Sequence, residues 1–245
     1  MQILVTRPLP EAWALQVEIE RLGLKALLAP LIDIVPLEIS PDIFEGASAV
    51  VATSGNGLRA LSLSGLLDRV KRLQVYAVGE ATGKLASDLK LPNVTAGRGT
   101  AAELVPVIAE RQAGRPGPVV HLAGDHLAYD LKGALAEKGI EVREVTVYKS
   151  VPASALPAET LAAIKSGKIG AVTLMSPRTA GVWTQLAAKH AIEDRLKQIV
   201  HVCLSPAVAA KLQVGPDVRI ETASAPTSDE IVALIKGLAA QTARE

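Results

Sequence analysis

Along this chain, short runs of β-branched and other apolar residues alternate with longer segments in which apolar positions return every three or four residues. The first kind covers 3–6, 48–52, 75–78, 118–122, 142–147, 169–174, 199–204 and 218–221, and predicts strands. The second kind includes Ala12 to Leu22, Gly57 to Leu67 and Ala101 to Glu110, and predicts helices. Gly23, Gly139 and Gly167 each follow a periodic run and read as helix stops. Strands separated by helix-length connections pair in parallel, because a tight turn can only bring back an antiparallel partner. The expected fold class is α/β, built as two similar three-layer parallel-sheet (flavodoxin-like) domains of roughly 100 to 130 residues each.

The pattern occurs twice. Thr53-Ser54-Gly55-Asn56-Gly57-Leu58-Arg59 closes one apolar run, and Met175-Ser176-Pro177-Arg178-Thr179 closes another. Ala77-Val78-Gly79-Glu80-Ala81-Thr82 is answered by Val202-Cys203-Leu204-Ser205-Pro206, and Gly99-Thr100-Ala101 by Pro226-Thr227-Ser228. These landmarks recur in order at offsets of 122, 126 and 127 residues (176 − 54, 204 − 78, 227 − 100). A second repeat has its own spacing of 116 residues (124 − 8, 152 − 36). It relates the opening unit, from Ile3-Leu4-Val5-Thr6-Arg7-Pro8 to Ile34-Val35-Pro36, to the stretch from Val119-Val120-His121 to Val151-Pro152. If each domain takes one opening unit and one three-part block, the first unit can belong with the last block, which makes the middle domain an insertion. The expected domains are then 1–36 with 153–245, and 41–147, joined by a two-stranded hinge at 37–40 and 148–152. Simple tandem order stays open, since repetition alone does not say which halves pack together.

Composition narrows the classes. At 245 residues and 49% apolar content the chain can bury one large core or two small ones. No apolar run approaches the roughly 20 residues that span a bilayer, and Met1-Gln2-Ile3-Leu4-Val5 enters a strand directly, so no membrane association and a cytoplasmic location are expected. A net charge of +1 and six aromatic residues argue against a nucleic-acid partner, which needs a concentrated basic face and stacking platforms. The single cysteine, Cys203, excludes an internal disulfide and reads as a small buried side chain in a strand. His121, His126, His190 and His201 lack metal-ligand spacing; His190 ends an amphipathic helix, where its charge would suit the dipole, and His126 reads as a solvated loop residue. Neither a phosphate-binding Gly-x-x-x-x-Gly-Lys-Ser/Thr loop, a dinucleotide Gly-x-Gly-x-x-Gly nor a Gly-x-Ser-x-Gly elbow is present.

The repeated landmarks all fall where a strand hands over to a helix. In open parallel sheets ligands bind beyond the carboxyl ends of the strands. Thr6-Arg7-Pro8, Ser54-Gly55-Asn56, Gly79 to Thr82, Gly124-Asp125, Ser176-Pro177-Arg178, Ser205-Pro206 and Pro226-Thr227-Ser228 would therefore form one rim per domain. Helix starts carry unpaired N–H groups and partial positive charge, so such rims hold anions with few Lys or Arg side chains. Two facing rims suit a large ligand bearing many carboxylates or phosphates. The plainer reading is that Ser, Thr and Asn at these positions simply cap helices, and that Pro8, Pro177 and Pro206 occupy first helical turns.

Leu4-Val5-Thr6-Arg7-Pro8, Thr53-Ser54-Gly55-Asn56-Gly57-Leu58-Arg59, Ala77 to Thr82, Val147-Tyr148, Ser176-Pro177-Arg178 and Ala225-Pro226-Thr227, taken together and in this order, resemble the uroporphyrinogen-III synthase family over almost the whole chain. The resemblance implies a monomeric two-domain enzyme with its active site between the domains. It implies closure of hydroxymethylbilane to uroporphyrinogen III, with inversion of the last pyrrole ring and loss of water, and no metal or organic cofactor. Tyr148 matches the family tyrosine and is expected to donate a proton to the departing hydroxyl. Thr82 matches the family threonine, and Thr6, Arg7, Ser54, Asn56, Gly124, Ser176, Ser205 and Thr227 are expected to bind the substrate; Arg59 and Arg178 are further candidates for its carboxylates. Many relatives carry Arg-Gly where this chain has Ala123-Gly124, which removes a carboxylate partner, and Asp125 adds negative charge beside it. A cytosolic two-lobed binding protein for a polyanionic small molecule is the alternative that the residues leave open.

Overall fold

The computed structural model describes residues 1–242. Its strands are β1 (Gln2–Val5), β2 (Lys25–Leu28), β3 (Ile32–Pro36), β4 (Ala49–Ala52), β5 (Gln74–Ala77), β6 (Val94–Ala96), β7 (Val119–Gly124), β8 (Val142–Pro152), β9 (Ile169–Leu174), β10 (Val200–Cys203) and β11 (Ile220–Thr222). The helices are α1 (Glu11–Arg21), α2 (Gly55–Leu63), α3 (Leu67–Val70), α4 (Glu80–Asp88), α5 (Ala101–Gln112), α6 (Leu131–Ala136), α7 (Ala158–Lys165), α8 (Pro177–Lys189), α9 (Glu193–Leu196), α10 (Pro206–Ala209) and α11 (Ser228–Thr242).

The chain divides into two compact units, one made of Met1–Asp33 with Val151–Glu245 and the other of Ile34–Ser150. In the first unit the strand order is β11-β10-β9-β1-β2, and in the second β3-β8-β7-β4-β5-β6. The pairs β1–β2, β1–β9, β9–β10 and β10–β11 are parallel, as are β4–β5, β4–β7, β5–β6 and β7–β8. The two repeat spacings map one sheet onto the other: β2-β1-β9-β10-β11 corresponds strand by strand to β8-β7-β4-β5-β6. The opening unit therefore shares a sheet with the last block, and its echo shares a sheet with the middle block.

Alternation along the strands builds the layers. In the first unit Leu4, Val172, Leu174 and Cys203 join a core with Trp183 and Leu186 of α8. Their neighbours Ile3, Val5, Ala171 and Val202 join another with Leu15 of α1 and Ile231 and Ile235 of α11. In the second unit Val50, Ala52, Val120 and Leu122 pack with Leu58 and Leu61 of α2 and Ala86 of α4. Ala49, Val51, Tyr76 and Val119 pack with Leu104 and Ile108 of α5 and Leu131 and Leu135 of α6. Successive side chains point to opposite faces of a strand, so these near-continuous apolar runs have both faces covered.

Several local readings shift. The 116-residue spacing sets β8 against both β2 and β3, so one continuous strand covers what two shorter ones cover in the other repeat. Gly57 to Leu67 is not one helix: α2 closes at Leu63 with Ser64 as its cap, where the Ser64 hydroxyl donates to the Leu61 carbonyl. Pro177 and Pro206 do open α8 and α10, whereas Pro8 precedes α1, whose cap is Pro10. Gly23, Gly139 and Gly167 follow α1, α6 and α7 with φ of +76°, +74° and +70°, the left-handed conformation that ends a helix cheaply only at glycine.

Candidate functional site

At the carboxyl edge of the second unit's sheet lies a cavity of about 450 Å³ lined by Thr53 and Ser54 after β4, Gly124 of β7, Tyr148 of β8, and the Thr100–Ala102 start of α5. Pairing of β7 with β8 slips by one residue here: Ala123 faces Thr146, but Gly124 faces Tyr148. The slip lets Tyr148 pack in the same core as Val147, the kind of re-aiming that strand irregularities produce. Tyr148 then lies across Gly124, where a methyl group would stand 2.6 Å from Cζ and 2.7 Å from the phenolic oxygen. The absent side chain at Gly124 is thus what accommodates the ring.

Tyr148 is 9% exposed. Burial raises its pKa, a hydrogen bond with the Ser54 side chain opposes this, and the Asp125 carboxylate pushes it up further. The phenol keeps its proton across the neutral range. Asp125 is itself fixed, its main-chain N–H donating to the Tyr148 carbonyl at 3.1 Å and its Oδ1 accepting from the Ser150 N–H at 3.0 Å. Ser54 also caps α2 by accepting from the Asn56 N–H at 3.2 Å, while the Asn56 Oδ1 accepts from the Arg59 guanidinium at 2.9 Å. Asn56 does not line the cavity, nor does Thr82, which is 7% exposed in α4.

A second hydrogen-bonded system lines the same cavity. His121 of β7 is 1% exposed, with Nδ1 3.0 Å from Glu144 Oε2 and Nε2 3.0 Å from Thr53 Oγ1. A carboxylate only accepts, so Nδ1 carries the proton and Nε2 accepts from the Thr53 hydroxyl. Burial lowers the imidazole pKa, with Glu144 opposing, so the neutral ring is favoured. Spacing among the four histidines gives no sign of this chain, because its partners are a carboxylate and a hydroxyl. The signal was present: His121 and Glu144 interrupt apolar strand runs, and a buried polar group needs a partner. His126, exposed as expected, and the outward-facing Leu127 and Tyr129 complete the wall.

In the first unit the expected residues again follow strand ends. Thr6 has no exposed surface, and its hydroxyl donates to the Thr173 carbonyl, tying the end of β1 to β9. The Arg7 guanidinium donates to Ser228 Oγ at 3.2 Å, bringing it to the start of α11, where Thr227 Oγ1 accepts from the Glu230 N–H. Ser176 caps α8, accepting from the Thr179 N–H at 3.1 Å, whereas Ser205 opens α10 without a side-chain capping bond. His190 ends α8 as its cap, as expected, and its Nε2 accepts from the Leu156 N–H at 3.1 Å. Cys203 is fully buried, and burial pushes its thiol up to about 11.

A sequence model of the family described as uroporphyrinogen-III synthase HemD matches residues 14–233. No curated protein matches significantly. Among solved structures, uroporphyrinogen-III synthetase from Helicobacter pylori aligns with a TM-score of 0.63 at 19% identity, covering 97% of this chain and 99% of its own. A mutant uroporphyrinogen III synthase from Thermus thermophilus aligns with a TM-score of 0.58 at 18% identity over the whole of both chains. At such identities the likeness is one of fold.

Proposed function

The chain belongs to the uroporphyrinogen-III synthase family, and on that premise we propose that Tyr148 is its proton donor in closing hydroxymethylbilane to uroporphyrinogen III. The observation that carries this is a buried phenol whose pKa is raised, held over Gly124 and hydrogen-bonded to Ser54, at the edge of a cavity. Protonation by Tyr148 turns the departing hydroxyl into water, and the carbon–oxygen bond breaks to leave a cationic, N-protonated azafulvene. Attack by the substituted carbon of the last ring gives a spiro intermediate, and its rearrangement inverts that ring. In class this is a carbon–oxygen lyase.

The rest of the protein's contribution is positioning and electrostatics. The starts of α2 and α5 line the cavity with Ser54 and Thr100, and helix starts attract carboxylates. Asn56, Thr82 and Gly124 in this unit, and Arg7, Ser176, Ser205 and Thr227 in the other, are the remaining proposed contacts. The chain passes between the two units twice, at Asp33–Ile34, ahead of the expected 37–40, and at Ser150–Val151, within the expected 148–152, and the enzyme works as a cytoplasmic monomer. Incubation with hydroxymethylbilane and separation of the products tests the reading. Type III isomer above the spontaneous type I background is expected, and Tyr148→Phe should lower kcat by about 10²-fold, the usual scale for a general acid. Unchanged turnover in that variant would remove the donor role, and ligand binding without a shift in isomer ratio would favour a binding protein instead.

A further inference from the structure

We propose that Thr53, backed by His121 and Glu144, takes up the proton that the terminal pyrrole must lose for ring closure to finish. The inference rests on the cyclisation reading and adds the second of its two proton transfers.

Loss of water from the substrate needs one proton delivered and one removed. Tyr148 delivers its proton to the leaving oxygen. The other leaves at the end. When the unsubstituted α-carbon of the inverted ring bonds to the bridging methylene, that carbon still carries its hydrogen and the ring is cationic. The C–H bond then breaks, its electron pair restores the aromatic ring, and the proton needs an acceptor.

The Glu144–His121–Thr53 chain has the order of an acceptor: carboxylate, imidazole, hydroxyl. Thr53 lines the cavity at a strand end, and its hydroxyl proton points to His121 Nε2 at 3.0 Å, leaving its oxygen lone pairs available to a guest. As Thr53 accepts the ring proton, its own passes to Nε2, and the imidazolium so formed is stabilised by Glu144 at 3.0 Å. No atom is left over: the substrate has gained one proton and lost one, and solvent returns the enzyme to its starting state. The charged or titratable groups around this chain are Glu144 from β8, Tyr148, Tyr129 and His126 on the cavity wall, and Asp125 beside them. Glu103 in the first turn of α5 is tied to Thr100. A purely structural reading would place the same hydrogen bonds anywhere in the core. Here the chain ends on a half-buried hydroxyl in the cavity that holds the proposed donor.

The test is steady-state turnover of hydroxymethylbilane, with product isomers resolved, for the wild type, Thr53→Val, Thr53→Ser, His121→Asn and Glu144→Gln. Thr53→Val removes the hydroxyl at nearly constant shape and should lower kcat by about 10²- to 10³-fold, with KM within about twofold. Thr53→Ser, which keeps the hydroxyl, should recover kcat to within about tenfold of the wild type. His121→Asn and Glu144→Gln should lower kcat in the same direction and give an independent answer if Thr53→Val does not fold. Wild-type kcat in folded Thr53→Val, or a loss in Thr53→Val that Thr53→Ser shares in full, overturns the relay while leaving the cyclisation reading intact. A wild type that makes no type III isomer overturns both.

Discussion

Gly124 and Tyr148 illustrate how one absent side chain can set a functional group. An alanine methyl at Gly124 would meet the Tyr148 ring at 2.6–2.8 Å, well inside contact distance. The ring must shift or the strands must part, and overpacking of this kind costs about 1–3 kcal/mol. Gly124→Ala should therefore lower the denaturant midpoint and, because the phenol moves, lower kcat more than it raises KM; chemical unfolding and steady-state kinetics on one preparation check both. Gly124 was legible in the sequence as a rim residue, but its partner was not. Only the register slip between β7 and β8 reveals which side chain fills the space above it.

Among the elements, the strand-to-helix junctions do two jobs at once. Ser54 and Ser176 cap α2 and α8 with their side chains, as the plainer reading held, and Ser54 also faces Tyr148. At α5 Thr100 and Glu103 form a reciprocal capping box, the Thr100 hydroxyl accepting from the Glu103 N–H and the Glu103 carboxylate accepting from the Thr100 N–H. Thr100-Ala101-Ala102-Glu103 carries the S/T-x-x-E spacing that announces such a box, so this feature was readable. Thr100→Ala should cost about 1 kcal/mol in equilibrium unfolding. An unchanged midpoint would mean that packing alone holds the start of α5.

At the scale of the whole molecule, each of the two units has its own pair of cores. Both tryptophans, Trp13 in α1 and Trp183 in α8, belong to the first unit, so their fluorescence reports that unit. There His201 is fully buried, its Nδ1 donating to the Ile199 carbonyl and its Nε2 accepting from the Trp183 indole at 2.9 Å. Burial brings its pKa from the ordinary 6.5 down to about 4. Above pH 6.5 neither the folded nor the unfolded chain protonates it, and its contribution is complete. Between 6.5 and about 4 the unfolded chain takes a proton that the folded chain refuses, so stability falls with falling pH and levels off below. The loss at this one group is about 3 kcal/mol. Fluorescence-detected denaturation at pH 7 and pH 4 should show the lower midpoint in acid, and His201→Gln should shrink the difference.

The alternating apolar runs by themselves determined the layered parallel class, because burial of both sheet faces and helix-length crossovers follow from local pattern. The two repeat spacings narrowed the threading to an insertion or a tandem. Choosing between them needed the hydrogen-bonded strand order, since a repeat says what is alike and never what is adjacent. Tyr148 stood out by resemblance, whereas the Glu144–His121–Thr53 chain joins two neighbouring strands and the turn after a third at a cavity. Hydrogen bonds across strands depend on register, and register belongs to the folded sheet rather than to any one segment of the chain.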